Sequence, residues 1–161
     1  MKLLEQTPTQ HPVTPWKVAI VTGLSDSASC QLSEQQLSLL QSLQDCSYTG
    51  NPQLPHPETI VTRNFPFVLP AAKARSISLV RASMSNGLQY LRTRSESYQR
   101  ASTPHWESLL QSTERLFLIT GSCGLQLICS WPGVTRYKGR IQVLALGPAG
   151  YPNSSLSVTL L

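Results

Sequence analysis

The apolar positions of this chain fall into short runs set apart by polar, proline-bearing stretches. The run 17-KVAIVTG-23 is β-branched and stopped by a glycine, as in a strand buried on both faces. After a loop over 24–32, the rhythm of 33-SEQQLSLLQSL-43 turns helical. Leu37, Leu40 and Leu43 share a face with Leu39 beside it, and Ser33 with Gln36 makes a capping-box pattern. Three prolines and a glycine mark 47-SYTGNPQLPHPE-58 as loop. The segment 59-TIVTRNFPFV-68 predicts a strand running into an aromatic-proline turn. Residues 76–92 fit a helix with Val80, Met84, Leu88 and Leu91 on one side, although Gly87 weakens it. Thr103-Pro104 predicts the start of another, with Trp106, Leu109 and Leu110 facing one way through about Glu114. A strand at 115-RLFLIT-120, a helix over 124–131 closed by Trp131-Pro132-Gly133, and a strand at 141-IQVLALG-147 complete the series.

Strands that are apolar throughout and separated by helices predict an α/β fold. Its sheet is mostly parallel, with helices on both faces. Residues 1–15, polar and carrying Pro8, Pro12 and Pro15, are read as a loose N-terminal arm, and 16–161 as a single domain. The length of 161 residues suits one core.

Composition narrows the function classes. The net charge of +5 invites a nucleic-acid reading. The basic residues are scattered, however, and the densest groups, Arg92, Arg94 and Arg100 and then Arg136, Lys138 and Arg140, form no long basic run with interleaved aromatics. No nucleic-acid partner is expected. Cys30, Cys46, Cys123 and Cys129 lack CxxC spacing, and none of the three histidines pairs with a cysteine at ligand spacing. No metal and no cofactor are expected. There is no signal-peptide pattern and no apolar run of transmembrane length, so a cytoplasmic protein without a membrane partner is expected.

Two glycine-bearing turns stand where strands end, the place where ligands gather in such sheets. The first, 22-TGLSDSAS-29, follows a strand like that of a dinucleotide-binding domain. Ser27 and Ser29 stand where two further glycines would let the backbone approach a pyrophosphate. The second, 120-TGSCG-124, has the form small-x-nucleophile-x-small between a strand and a helix, the pattern of a nucleophile elbow. Ser122 is the candidate nucleophile, with Thr120 and Gly124 at the small positions and Gly121 inside the turn. A nucleophilic Cys123 would put Leu125 at the second small position and crowd it. The backbone N–H of Cys123 is one candidate oxyanion donor, and Leu24, from the other turn, is the second.

The stretches 17-KVAIVTGL-24, 59-TIVTRNFPF-67, 117-FLITGSCGL-125 and 141-IQVLALGP-148 together resemble the first two-thirds of an α/β-hydrolase domain, over residues 16–150. Thr120 departs from the glycine usual at its position. The resemblance implies a serine hydrolase that cleaves a small ester or amide through a Ser–His–acid triad. The family's order is serine, acid, histidine, but residues 123–161 contain no Asp, Glu or His. The hydrolase-like domain is therefore read as incomplete, truncated at its C-terminal end. Activity is expected to be weak or absent, with His11, His56, His105, Asp26 and Asp45 as the remaining candidates for a base or its carboxylate partner. The tail 154-SSLSVTLL-161 adds β-propensity without charge, and self-association through an exposed sheet edge is expected. Two rival readings are a non-catalytic interaction module and a Rossmann-like nucleotide-binding domain.

Overall fold

The computed structural model describes residues 14–24, 29–47, 60–67, 78–148, 152 and 156–161. Within them runs one five-stranded sheet, every strand parallel to its neighbour. Its strands are β1 (Thr14–Val21), β2 (Ile60–Val61), β3 (Thr113–Ser122), β4 (Ile141–Pro148) and β5 (Ser157–Leu160). Their order across the sheet is β2-β1-β3-β4-β5. The helices are α1 (Glu34–Ser47), α2 (Leu79–Arg92), α3 (Glu96–Gln111) and α4 (Gly124–Cys129), followed by a 3-10 turn over Pro132–Tyr137. This is an α/β fold of the doubly wound kind.

The order reverses between β1 and β3. The chain first moves outward to β2, then returns across β1 to β3 and beyond. Right-handed crossovers convert that reversal into two covered faces. On one face Leu40 and Leu43 of α1 pack with Val18, Ile20, Ile60, Phe117 and Ile119. On the other, α3 and α4 pack Trp106, Leu109, Leu110, Leu125 and Ile128 against Ala19, Leu116, Leu118, Val143 and Ala145. Side chains alternate along β1 and β3 between these two layers, so the middle of each strand, 18–21 and 116–119, is apolar without interruption. An aromatic stack, Phe65–Trp106–Trp131–Tyr137, runs through the second layer with ring centroids 4.7, 5.9 and 5.6 Å apart.

The capping box forms at α1: Gln36 N–H donates to Ser33 Oγ (3.3 Å), and Ser33 N–H to Gln36 Oε1 (2.8 Å). Two expectations need correction. Thr14 and Pro15, read as part of the arm, already belong to β1, which pairs with β3 from Thr14 onward. The helix expected to begin at Thr103-Pro104 begins at Glu96 and carries Pro104 inside it. Ser95 caps it, accepting from Tyr98 N–H, and the helix grows from that cap through Pro104, which removes a backbone donor and crowds the preceding turn. The helix expected over 76–92 spans Leu79–Arg92, and its apolar side faces out, with Val80, Met84, Leu88 and Leu91 exposed. The inward face is polar instead. The tail becomes the outer strand β5, paired with β4.

At the far end of the sheet, Lys17 is 1% exposed and its Nζ donates to Ser112 Oγ at 2.9 Å. Burial pushes its pKa from 10.5 down to about 8. Between those values the unfolded chain holds a proton that the folded chain has released, so this group's contribution to stability rises with pH there. Lys17→Met should therefore gain most over wild type near neutral pH. Its Tm advantage should shrink between about pH 8 and pH 10.5; a difference that does not change with pH contradicts this.

Candidate functional site

The strand order reverses between β1 and β3, and in open parallel sheets the crevice outside the C-terminal ends of the strands at such a point is where ligands bind. β3 ends at Ser122, whose φ of +51° lies in the left-handed region. For a residue with a side chain that conformation costs about 1–2 kcal/mol. Cys123 follows as the N-cap of α4, and Gly124 opens the helix. A Cβ on Gly124 would stand 1.8 Å from the Val21 carbonyl oxygen and 3.3 Å from Thr120 Cβ. Only glycine lets α4 begin so close to the end of β1. Thr120 is fully buried on the other side of that contact. The two expected small positions thus meet each other beneath Ser122, which is itself part-exposed. Gly121 is looser, its nearest neighbour being Thr22 Cγ2 at 3.3 Å.

The β1 turn is held by amide side chains that pattern reading did not single out. Asn64 takes the place of a neighbouring strand beyond β2. Its Oδ1 accepts from Thr22 N–H (2.8 Å) and its Nδ2 donates to the Thr22 carbonyl (3.2 Å). A Cβ on Gly23 would meet Asn86 Oδ1 at 2.3 Å and Cys123 Sγ at 2.7 Å. That glycine is explained by packing inside the protein, which the nucleotide reading does not need. Leu24, the candidate second oxyanion donor, gives its N–H to Gln89 Oε1 at 2.7 Å. Its carbonyl accepts from Ser85 Oγ at 2.8 Å and from Gln89 Nε2 at 3.4 Å. Cys123 Sγ lies 4.0 Å from the same Gln89 oxygen. The inward face of α2 therefore caps the crevice, with Gln89 between the two turns.

The surroundings are poorly suited to charge. Burial pushes the Cys123 thiol up to about 11, so it is a small packed side chain rather than a nucleophile. Burial first, and the neighbouring Cys123 second, raise the Tyr98 hydroxyl well above its usual range. Asn86 Oδ1, Thr120 Oγ1 and Tyr98 OH are buried without a hydrogen-bond partner among the described residues.

Among the candidate bases, His11, His56 and Asp26 lie outside the described residues, as does the side chain of Asp45 on α1. His105 is buried on α3. Tyr98 lies beside Cys123, and His105 stands about 10 Å further along the helix axis. The structure brings together Leu24, Thr120, Gly121, Ser122, Cys123 and Gly124, but it does not bring His105 to them.

Gly124→Ala should lower stability by about 2–4 kcal/mol, because backbone must move to admit the methyl. Gly87→Ala, with open space around its Cβ in α2, should raise it by about 0.5–1 kcal/mol. Urea unfolding of both variants checks this pair, and equal effects would contradict it.

Compared with family models, curated proteins and solved structures, the chain matches none at a significant level.

Proposed function

We propose that this chain is a serine-hydrolase-like domain in which Ser122 is the nucleophile for acyl transfer. The observation that carries the reading is the left-handed Ser122 on a strand-to-helix turn whose tightness depends on Gly124. Backbone strain of this kind persists where the surroundings over-determine it, and it clusters at reactive groups. In the proposed reaction Ser122 Oγ adds to the carbonyl carbon of a small ester or amide. Its proton passes to a base, the alkoxide or amine leaves, and water then releases the acid from the acyl-enzyme. The Cys123 N–H is the first oxyanion donor. Leu24 N–H becomes the second only when Gln89 gives it up.

Hydrolysis by this chain alone is weak. Residues 123–161 hold no Asp, Glu or His, and a missing general base costs about 10²–10⁴ in rate. A cytoplasmic location and a small-molecule substrate belong to the same proposal. A second reading, a non-catalytic interaction module, is favoured by Gln89, which already satisfies the Leu24 donor. Self-association through the outer strand β5 would belong with it.

Incubation of the folded chain with a fluorophosphonate, read by intact mass, separates the two. The proposal expects slow formation of a single adduct that Ser122→Ala abolishes. No adduct, or one that survives Ser122→Ala, overturns it.

A further inference from the structure

We propose that the outer face of α2 docks on an anionic lipid surface. Val80, Met84, Leu88 and Leu91 are 71, 67, 54 and 65% exposed. At about 100° per residue they form one stripe roughly 80° wide. The opposite face carries Ser85, Asn86 and Gln89, packed against Gly23 and Leu24, so the stripe points away from the domain. The helix is held in place by its polar side and offers its apolar side to something outside.

Charge says what that partner is. Exposed Arg81 and Arg92 border one edge of the stripe. Arg94, just beyond the helix, borders the other, its guanidinium 5.3 Å from the Tyr90 ring centroid. Residues 59–95 hold six of the thirteen Lys and Arg and none of the eight Asp and Glu. The remaining seven basic and eight acidic residues nearly cancel, so the chain's net +5 resides in this one stretch. An aliphatic stripe edged by arginines on a short helix matches the interfacial mode of membrane binding. In it the apolar side chains enter the headgroup–acyl boundary and the cations meet anionic headgroups. None of the described helices is long and apolar enough to cross a membrane, and α2 would lie along the surface.

Other occupants fit less well. The four side chains expose on the order of 400 Å², about half of the ~800 Å² each partner buries in a standard protein interface. Antiparallel pairing with a second copy would also set Arg81 against the partner's Arg92. Nucleic acid would engage the arginines and leave the stripe uncovered, since the stripe has no aromatic ring on which a base could stack. The proposal stands apart from Ser122 chemistry.

Co-sedimentation of the full chain with phosphatidylcholine vesicles, with and without phosphatidylserine, tests it. Wild type should bind the vesicles containing phosphatidylserine and lose binding as salt is raised. The double variants Met84→Asp/Leu88→Asp and Arg81→Gln/Arg92→Gln, altered only at exposed positions, should each weaken binding roughly tenfold while keeping the wild-type circular dichroism. Failure of wild type to bind, or binding indifferent to Met84→Asp/Leu88→Asp, overturns the proposal. So does a wild-type dimer, split by the same substitutions, in a chain that ignores vesicles.

Discussion

The start of α4 lies against the end of β1, and the rest of the crevice follows from that contact. The Val21 carbonyl oxygen occupies the space where any side chain at position 124 would begin. To reach helix geometry within so short a distance, β3 must turn sharply at Ser122, and φ becomes positive there. The same approach pushes Cys123 inward until it is 1% exposed, and its sulfur then fills the space over Gly23. Two glycines far apart in sequence are thus the two sides of one close packing. The parallel pairing of β1 with β3 holds them in register, from Thr14 opposite Thr113 to Val21 opposite Thr120.

Helix α2 adds the second constraint. Its amide and hydroxyl side chains satisfy the backbone of a β1 turn that has run out of strand partners. Leu24 alone receives three hydrogen bonds or gives them, through Gln89 and Ser85. A buried backbone donor left unpaired costs about 1–3 kcal/mol, so polar residues facing inward are stabilising here. Placing them inward turns the aliphatic stripe outward. The proposed docking face is consequently a result of how this one helix is oriented. Its orientation is set by the hydrogen-bonding needs of Leu24 and by the packing of Asn86 against Gly23.

The sheet was readable from the chain because its central strands are buried on both sides. Continuous apolar runs such as 18-VAIV-21 and 116-LFLI-119 need no periodic signal, and α1 announces itself through Ser33 and Gln36. The α3 boundary was not readable, because proline is favourable at a first turn and tolerable later. Ser95 offered an equally good cap eight residues upstream. The orientation of α2 was illegible for another reason. Periodicity shows that a helix has an apolar side, and the tertiary neighbours decide which side turns in. Gln89 and Asn64 stayed hidden because an amide that serves distant backbone leaves no local spacing. Thr120, Ser122 and Gly124 could be found because a tight strand-to-helix turn restricts residue size locally.

The account rests on Ser122 being held in a left-handed backbone by the packing of Gly124 on Val21. The most direct test compares the unfolding free energies of Ser122→Gly and Ser122→Ala. Glycine adopts a positive φ without steric cost, whereas alanine does not. The account predicts that Ser122→Gly is the more stable of the two by about 1 kcal/mol. At an ordinary negative φ the order reverses. An Ala variant more stable than the Gly variant would show that the turn is relaxed, and it would remove the geometry on which the proposed nucleophile depends.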